Sequence, residues 1–95
     1  MKPVRIQRKR TKGWKMPPNT VYVGRPTKWG NPFPGFYERR SVAVSRYRDW
    51  LPDSIQADAM IELRGKNLAC WCPLKDRHGF TVPCHADILL EIANA

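Results

Sequence analysis

The chain has 95 residues and a hydrophobic share of 42%, enough for one domain over residues 1–95 with a modest core, and too little for a second core. Three cysteines, an odd number behind no signal peptide, exclude a secreted disulfide framework. No apolar run is long enough to span a bilayer, so the chain reads as soluble and cytoplasmic with reduced thiols.

The formal net charge of +9 is unevenly placed. Residues 1–16 hold Lys2, Arg5, Arg8, Lys9, Arg10, Lys12 and Lys15, seven of the 17 basic residues and none of the eight acidic ones. Such a block attracts polyanions through its field and counterion release, and nucleic acid is the commonest polyanion in a cell. Arg8, Lys9, Arg10 and Lys12 are the candidate contacts. The plainer alternative is a solubilising arm. An anionic membrane is a poorer partner, because the segment lacks apolar residues at helical spacing.

In chain order, Val4 and Ile6 alternate with Arg5 and Gln7, which predicts a short, charge-protected edge strand with its polar side, Arg5 and Gln7, in water. Gly13, Pro17, Pro18 and Asn19 turn residues 9–19 into a loop, completing a basic strand-and-loop segment over 1–19. Thr20–Val23 predicts a second strand. It runs into Gly24-Arg25-Pro26-Thr27-Lys28-Trp29-Gly30-Asn31-Pro32-Phe33-Pro34-Gly35, with three glycines and three prolines in twelve residues. Arg25, Lys28, Trp29 and Asn31 in so shaped a loop are candidates to hold a phosphate or stack on a base. Alternatively Trp29, Phe33 and Phe36 plug one end of the core.

Helical spacing follows from Phe36 to Leu51, with Ala43, Val44, Tyr47, Trp50 and Leu51 on one stripe. Pro52 ends it. Asp53 and Gln56 resemble a capping box for a second helix to about Arg64, with Ile55, Ala59, Met60 and Leu63 inward and Gly65 as its left-handed stop. Asn67–Cys72 predicts a central strand, parallel to Thr20–Val23 because helices lie between them. The loop after Val23 and the cysteines then share one sheet edge. A last helix is predicted over Pro83–Ile92, with Pro83 in its first turn. The fold class expected is α/β: a small single domain with a short, mostly parallel three-stranded sheet and about three helices.

Cys70, Cys72, Cys84 and His85, with His78 between them, gather the reactive side chains. Three thiolates and one imidazole suit zinc, which would staple so small a core. Against this, a Cys-x-Cys pair on a regular strand spreads its sulfurs too far for one ion, unless the strand twists or ends at Trp71. The adjacent pair Cys84-His85 is also awkward, which keeps His78 open as the fourth ligand. Two other readings are a nucleophilic Cys84 served by His85 or His78 with Asp87 as orienter, and cysteines buried as small hydrophobes.

Val21–Phe33, Arg64–Pro73 and Cys84–Leu90 resemble the family of domain of unknown function 4326, small proteins of bacteriophages and bacteria, over residues from about Val4 onward. The stretch Leu74–Pro83 is longer here than in that family, and His78 lies within it. The resemblance implies no activity. It adds a phage-encoded role in the host cytoplasm, docking on and modulating a host protein, to the leading expectation of a basic module that binds nucleic acid or a nucleotide. An enzyme acting on a nucleotide or nucleic acid through the Cys/His site is the third expectation.

Overall fold

A computed structural model describes residues 3–32 and 40–95. Six elements follow one another: β1 (Arg5–Gln7), β2 (Thr20–Tyr22), α1 (Arg40–Trp50), α2 (Asp53–Glu62), β3 (Asn67–Cys70) and α3 (His85–Ala93). The strands form one parallel sheet in the order β1-β3-β2, so the α/β class and the central place of β3 are as expected. Among the described residues no helix is long and apolar enough to cross a membrane.

Register decides which side chains share a face. Arg5 pairs with Leu68 and Gln7 with Cys70, while Val21 pairs with Leu68 and Tyr22 with Ala69. Because side chains alternate along a strand, Arg5, Gln7, Val21, Val23, Leu68 and Cys70 fall on one face. Ile6, Arg8, Tyr22 and Ala69 fall on the other, with Trp71 next in line.

The core gathers on the first face, where Val23, Leu68 and Cys70 meet Cys84, Ala86 and Leu89. Among the described elements α3 alone among the helices touches strands, packing on β3 and β1, and α1 and α2 pack in turn on α3. Ala43 and Tyr47 of α1, with Leu51 just past its end, bury one stripe, and Ala59 of α2 with Leu63 at its C-cap does the same. Asn19 and Asn67 clamp the far end of the sheet: Asn19 donates to the Gly65 carbonyl, and the Val4 N–H donates to Asn67.

Several expectations are corrected. The strand stops at Cys70, and Trp71 and Cys72 lie in a bend. Arg8 N–H to Cys70 at 2.8 Å and Val23 N–H to Ala69 at 2.9 Å are bonds at the end of the ladder, and Pro73 beyond has no N–H to extend it. Trp50 and Met60 leave the inward stripes, at 42% and 46% exposed. Each follows, by one residue or precedes by one, a buried neighbour and is therefore turned about 100° from it around the helix.

Asp53 is the first helical residue rather than the cap of α2; Pro52 occupies the cap, and Gln56 donates instead to the Leu51 carbonyl. Pro83 precedes the cap of α3, which is Cys84. Gly65 is left-handed as expected, at φ +76°. The predicted start of α1 at Phe36, and Phe33 and Phe36 as plugs, lie outside the described residues.

Candidate functional site

The three sulfurs come together where β3 ends and α3 begins. The Sγ atoms of Cys70, Cys72 and Cys84 all lie within 4.8 Å of one another, and Cys70 and Cys84 stand 3.1 Å apart. The early end of β3 makes this possible: released from strand geometry, Cys72 swings toward the sulfur on Cys70. Three cysteines so placed can hold a metal ion.

Cys84 caps α3 with its sulfur in the place of the usual hydroxyl, while Asp87 accepts from the Cys84 N–H at 3.1 Å. Hydrogen bonds from the Cys70 thiol, then from Cys72, hold Cys84 well below the usual thiol range; burial opposes them, and the Ala86 N–H and Arg5 assist. Cys70 is pushed up, chiefly through its hydrogen bonds with Cys72 and Cys84. One thiolate shared among neighbouring thiols is the state this geometry favours.

His85 is buried beside the thiols. Its Nε2 lies 2.7 Å from the Val23 carbonyl oxygen and its Nδ1 3.5 Å from Cys84 Sγ. A carbonyl only accepts, so Nε2 carries the proton and Nδ1 presents its lone pair toward the sulfur. Burial, the largest cause, lowers the pKa of His85 and keeps the ring neutral. His78 is elsewhere: it is exposed, its ring accepts from Arg77 at 3.3 Å, and its N–H donates to Asp76 within the turn closed by Lys75 and Thr81.

The chain's own order hides Arg5, the residue that sequence reasoning missed. Its side chain is only 6% exposed. It reaches from β1 to Asp87 at 3.3 Å and to the carbonyls of Pro73 and Leu74 at 3.4 Å each. Arg5 thus ties the two cysteine-bearing pieces together. No sequence signal marks it: the alternation predicts Arg5 and Gln7 on the water side of the strand, and the observed register corrects this by turning Arg5 inward, where an arginine needs partners, and Val4 outward at 53% exposed.

The Gly24–Phe33 loop, as far as it is described, docks on its own helices. Trp29 is 5% exposed within the core, and its carbonyl accepts from Tyr47 at 2.8 Å. Lys28 binds Glu62 at 2.6 Å and Asp58 at 3.1 Å. Asn31 donates to the Ala43 carbonyl, and Arg25, itself exposed, donates to the Asn31 carbonyl. Gly24 is required here, since a Cβ would run into the Tyr22 ring.

The arm behaves differently. Lys9, Arg10 and Lys12 are exposed. The Arg8 guanidinium lies 4.6 Å from the Tyr22 ring and 4.8 Å from the Trp71 ring, and that of Arg10 lies 5.0 Å from Trp71. Since β3 lies between β1 and β2, Arg8 reaches Tyr22 across β3, on the face that also holds Ala69.

The family model described as a domain of unknown function (DUF4326) matches residues 6–95. The chain belongs to that family. No curated protein and no solved structure matches the chain.

Proposed function

We propose that this member of the DUF4326 family is a small nucleic-acid-binding module, with charge supplied by Arg8, Lys9, Arg10 and Lys12 and with zinc as a staple at its three thiols. The observation that supports it is where the basic run begins. It leaves β1 at the C-terminal edge of a parallel sheet, the edge where α/β folds commonly take ligands, and turns Arg8 and Arg10 onto Trp71. Among the described residues neither arginine has an ion-pair partner. Cations kept free of carboxylates remain available to phosphates, and a run of them suits a polymer better than a single nucleotide.

Zinc fits the donors. Thiolates at about 2.3 Å from a tetrahedral ion stand about 3.8 Å apart, so three sulfurs already within 4.8 Å close on an ion with small shifts. His85 is the better fourth ligand than His78. A metal-bound imidazole usually donates its other N–H to a carbonyl or carboxylate, and the bond from His85 to Val23 leaves Nδ1 toward Cys84 Sγ, 3.5 Å away, although the close-set group itself is the three thiols. When bound, the ion supplies cross-linking between β3 and the start of α3, a structural role.

The test uses the full chain purified without chelator or tag histidines. Elemental analysis is expected to give about one zinc per chain, with thiols that react only after chelation. Binding of a labelled oligonucleotide is expected to weaken steeply with salt. Replacing Lys9, Arg10 and Lys12 by glutamine should flatten the log–log slope by roughly 2 to 3. Salt dependence unchanged by those substitutions removes the arm from the proposal; metal-free protein with inert thiols removes the staple.

A further inference from the structure

The sheet has a face that no described helix covers. The helices reach the sheet through α3 alone, and Arg5 and Cys70 place α3 on the inner face through Asp87 and Cys84. The outer face presents Ile6, Arg8, Tyr22 and Trp71, none of which belongs to the core cluster. Trp71 is 41% exposed there, held by a sequence in which both neighbours, Cys70 and Cys72, point to the thiol cluster on the other side.

We infer that this outer face is a platform for single-stranded nucleic acid, on which a base stacks against Trp71 while Arg8 and Arg10 bind the adjoining phosphates. The inference rests on the nucleic-acid reading above and adds which form of nucleic acid is bound. Three features of the face lead to it.

The aromatic pair already accepts a flat cationic group, since the Arg8 guanidinium meets both rings. A base has the same planar shape and a π-face of its own, so it can take the guanidinium's place on the Trp71 ring, which releases Arg8 to the adjoining phosphate. Among the described residues the Nε of Arg8 is buried without a hydrogen-bond partner. A buried donor without an acceptor is costly, and a phosphate oxygen supplies the acceptor once the guanidinium lifts from the rings. Finally, Lys9, Arg10 and Lys12 are exposed along the segment that leaves this face, where they can follow a backbone.

Strandedness follows from the chemistry of stacking. Inside a duplex both faces of every base are occupied by neighbours, so an exposed tryptophan gains nothing there. In a single strand the faces are free. Strands of three and four residues span on the order of 10 Å, room for about two or three bases on a sheet.

The test is fluorescence anisotropy with the full zinc-loaded chain, a labelled single-stranded oligonucleotide, and the duplex of the same sequence at the same salt. The single strand is expected to bind at least about tenfold more tightly. Trp71→Ala should lower single-strand affinity about 10- to 100-fold, Trp71→Phe should retain most of it, and neither should alter duplex binding or the salt slope. The Phe variant, with circular dichroism of both, guards against a folding defect in Trp71→Ala. Equal binding of both forms, insensitive to Trp71→Ala but lost on neutralising the arm, overturns the platform and leaves the electrostatic reading standing. Binding of neither form overturns both.

Discussion

Two regions of the molecule carry the same pairing of a cation with a tryptophan and use it in opposite ways. Lys28 lies 4.7 Å from the Trp29 ring, much as Arg10 lies 5.0 Å from Trp71. Trp29 is 5% exposed and Trp71 41%. Lys28 is held by Asp58 and Glu62, and the hydrogen bonds it donates to Glu62, then Asp58, raise its pKa. Arg8 and Arg10 have no such partners among the described residues. A basic residue beside an aromatic one is therefore not by itself a binding signal. What separates the two is whether carboxylates on α2 neutralise the cation and whether the ring is spent on the core.

The sharpest way to break this comparison is to remove each ring. Trp29→Ala should destabilise the fold by about 3–5 kcal/mol, as deletion of a buried aromatic does. Trp71→Ala, on a half-open face, should cost no more than about 1 kcal/mol. Urea unfolding midpoints at constant slope measure both. Similar losses at the two sites would end the distinction between plug and platform.

Arg5 sharpens the contrast from the inner side of the sheet. Arg5→Ala should cost about 2 kcal/mol, because charge-assisted hydrogen bonds of this burial are worth about 1.5–3 kcal/mol. It should also loosen the Cys72 bend, read as faster modification of the thiols in the zinc-free protein. Unchanged thiol rates would mean that Arg5 holds β1 alone. The smallest effect is expected from Lys28→Ala, whose exposed ion pairs contribute little. It should leave oligonucleotide affinity unaltered while Arg10→Ala weakens it, and a matching loss from Lys28→Ala would show that the loop takes part in binding.

The loop after Val23 and the cysteine cluster divide along the same line. The α/β class, the parallel central strand and the left-handed Gly65 all followed from alternation, helical spacing and glycine chemistry, which act within a few residues. The mutual approach of the three thiols did not. A Cys-x-Cys pair is too wide on a regular strand, and only the bend after Cys70 brings Cys72 in.

Composition and local pattern thus determined the elements, the unequal charge of the first 16 residues and the set of donor atoms, because propensity, turn chemistry and Coulomb attraction are written in neighbouring side chains. Tertiary structure alone decided that Trp29 is core and Trp71 surface, that His85 lies between Val23 and the Cys84 sulfur while His78 does not, and that Arg5 binds Asp87 from 82 residues away. The reason is register: in a three-stranded sheet a shift of one residue exchanges the inner and outer faces, and only the pairing of β1 and β2 with β3 shows which face each side chain received.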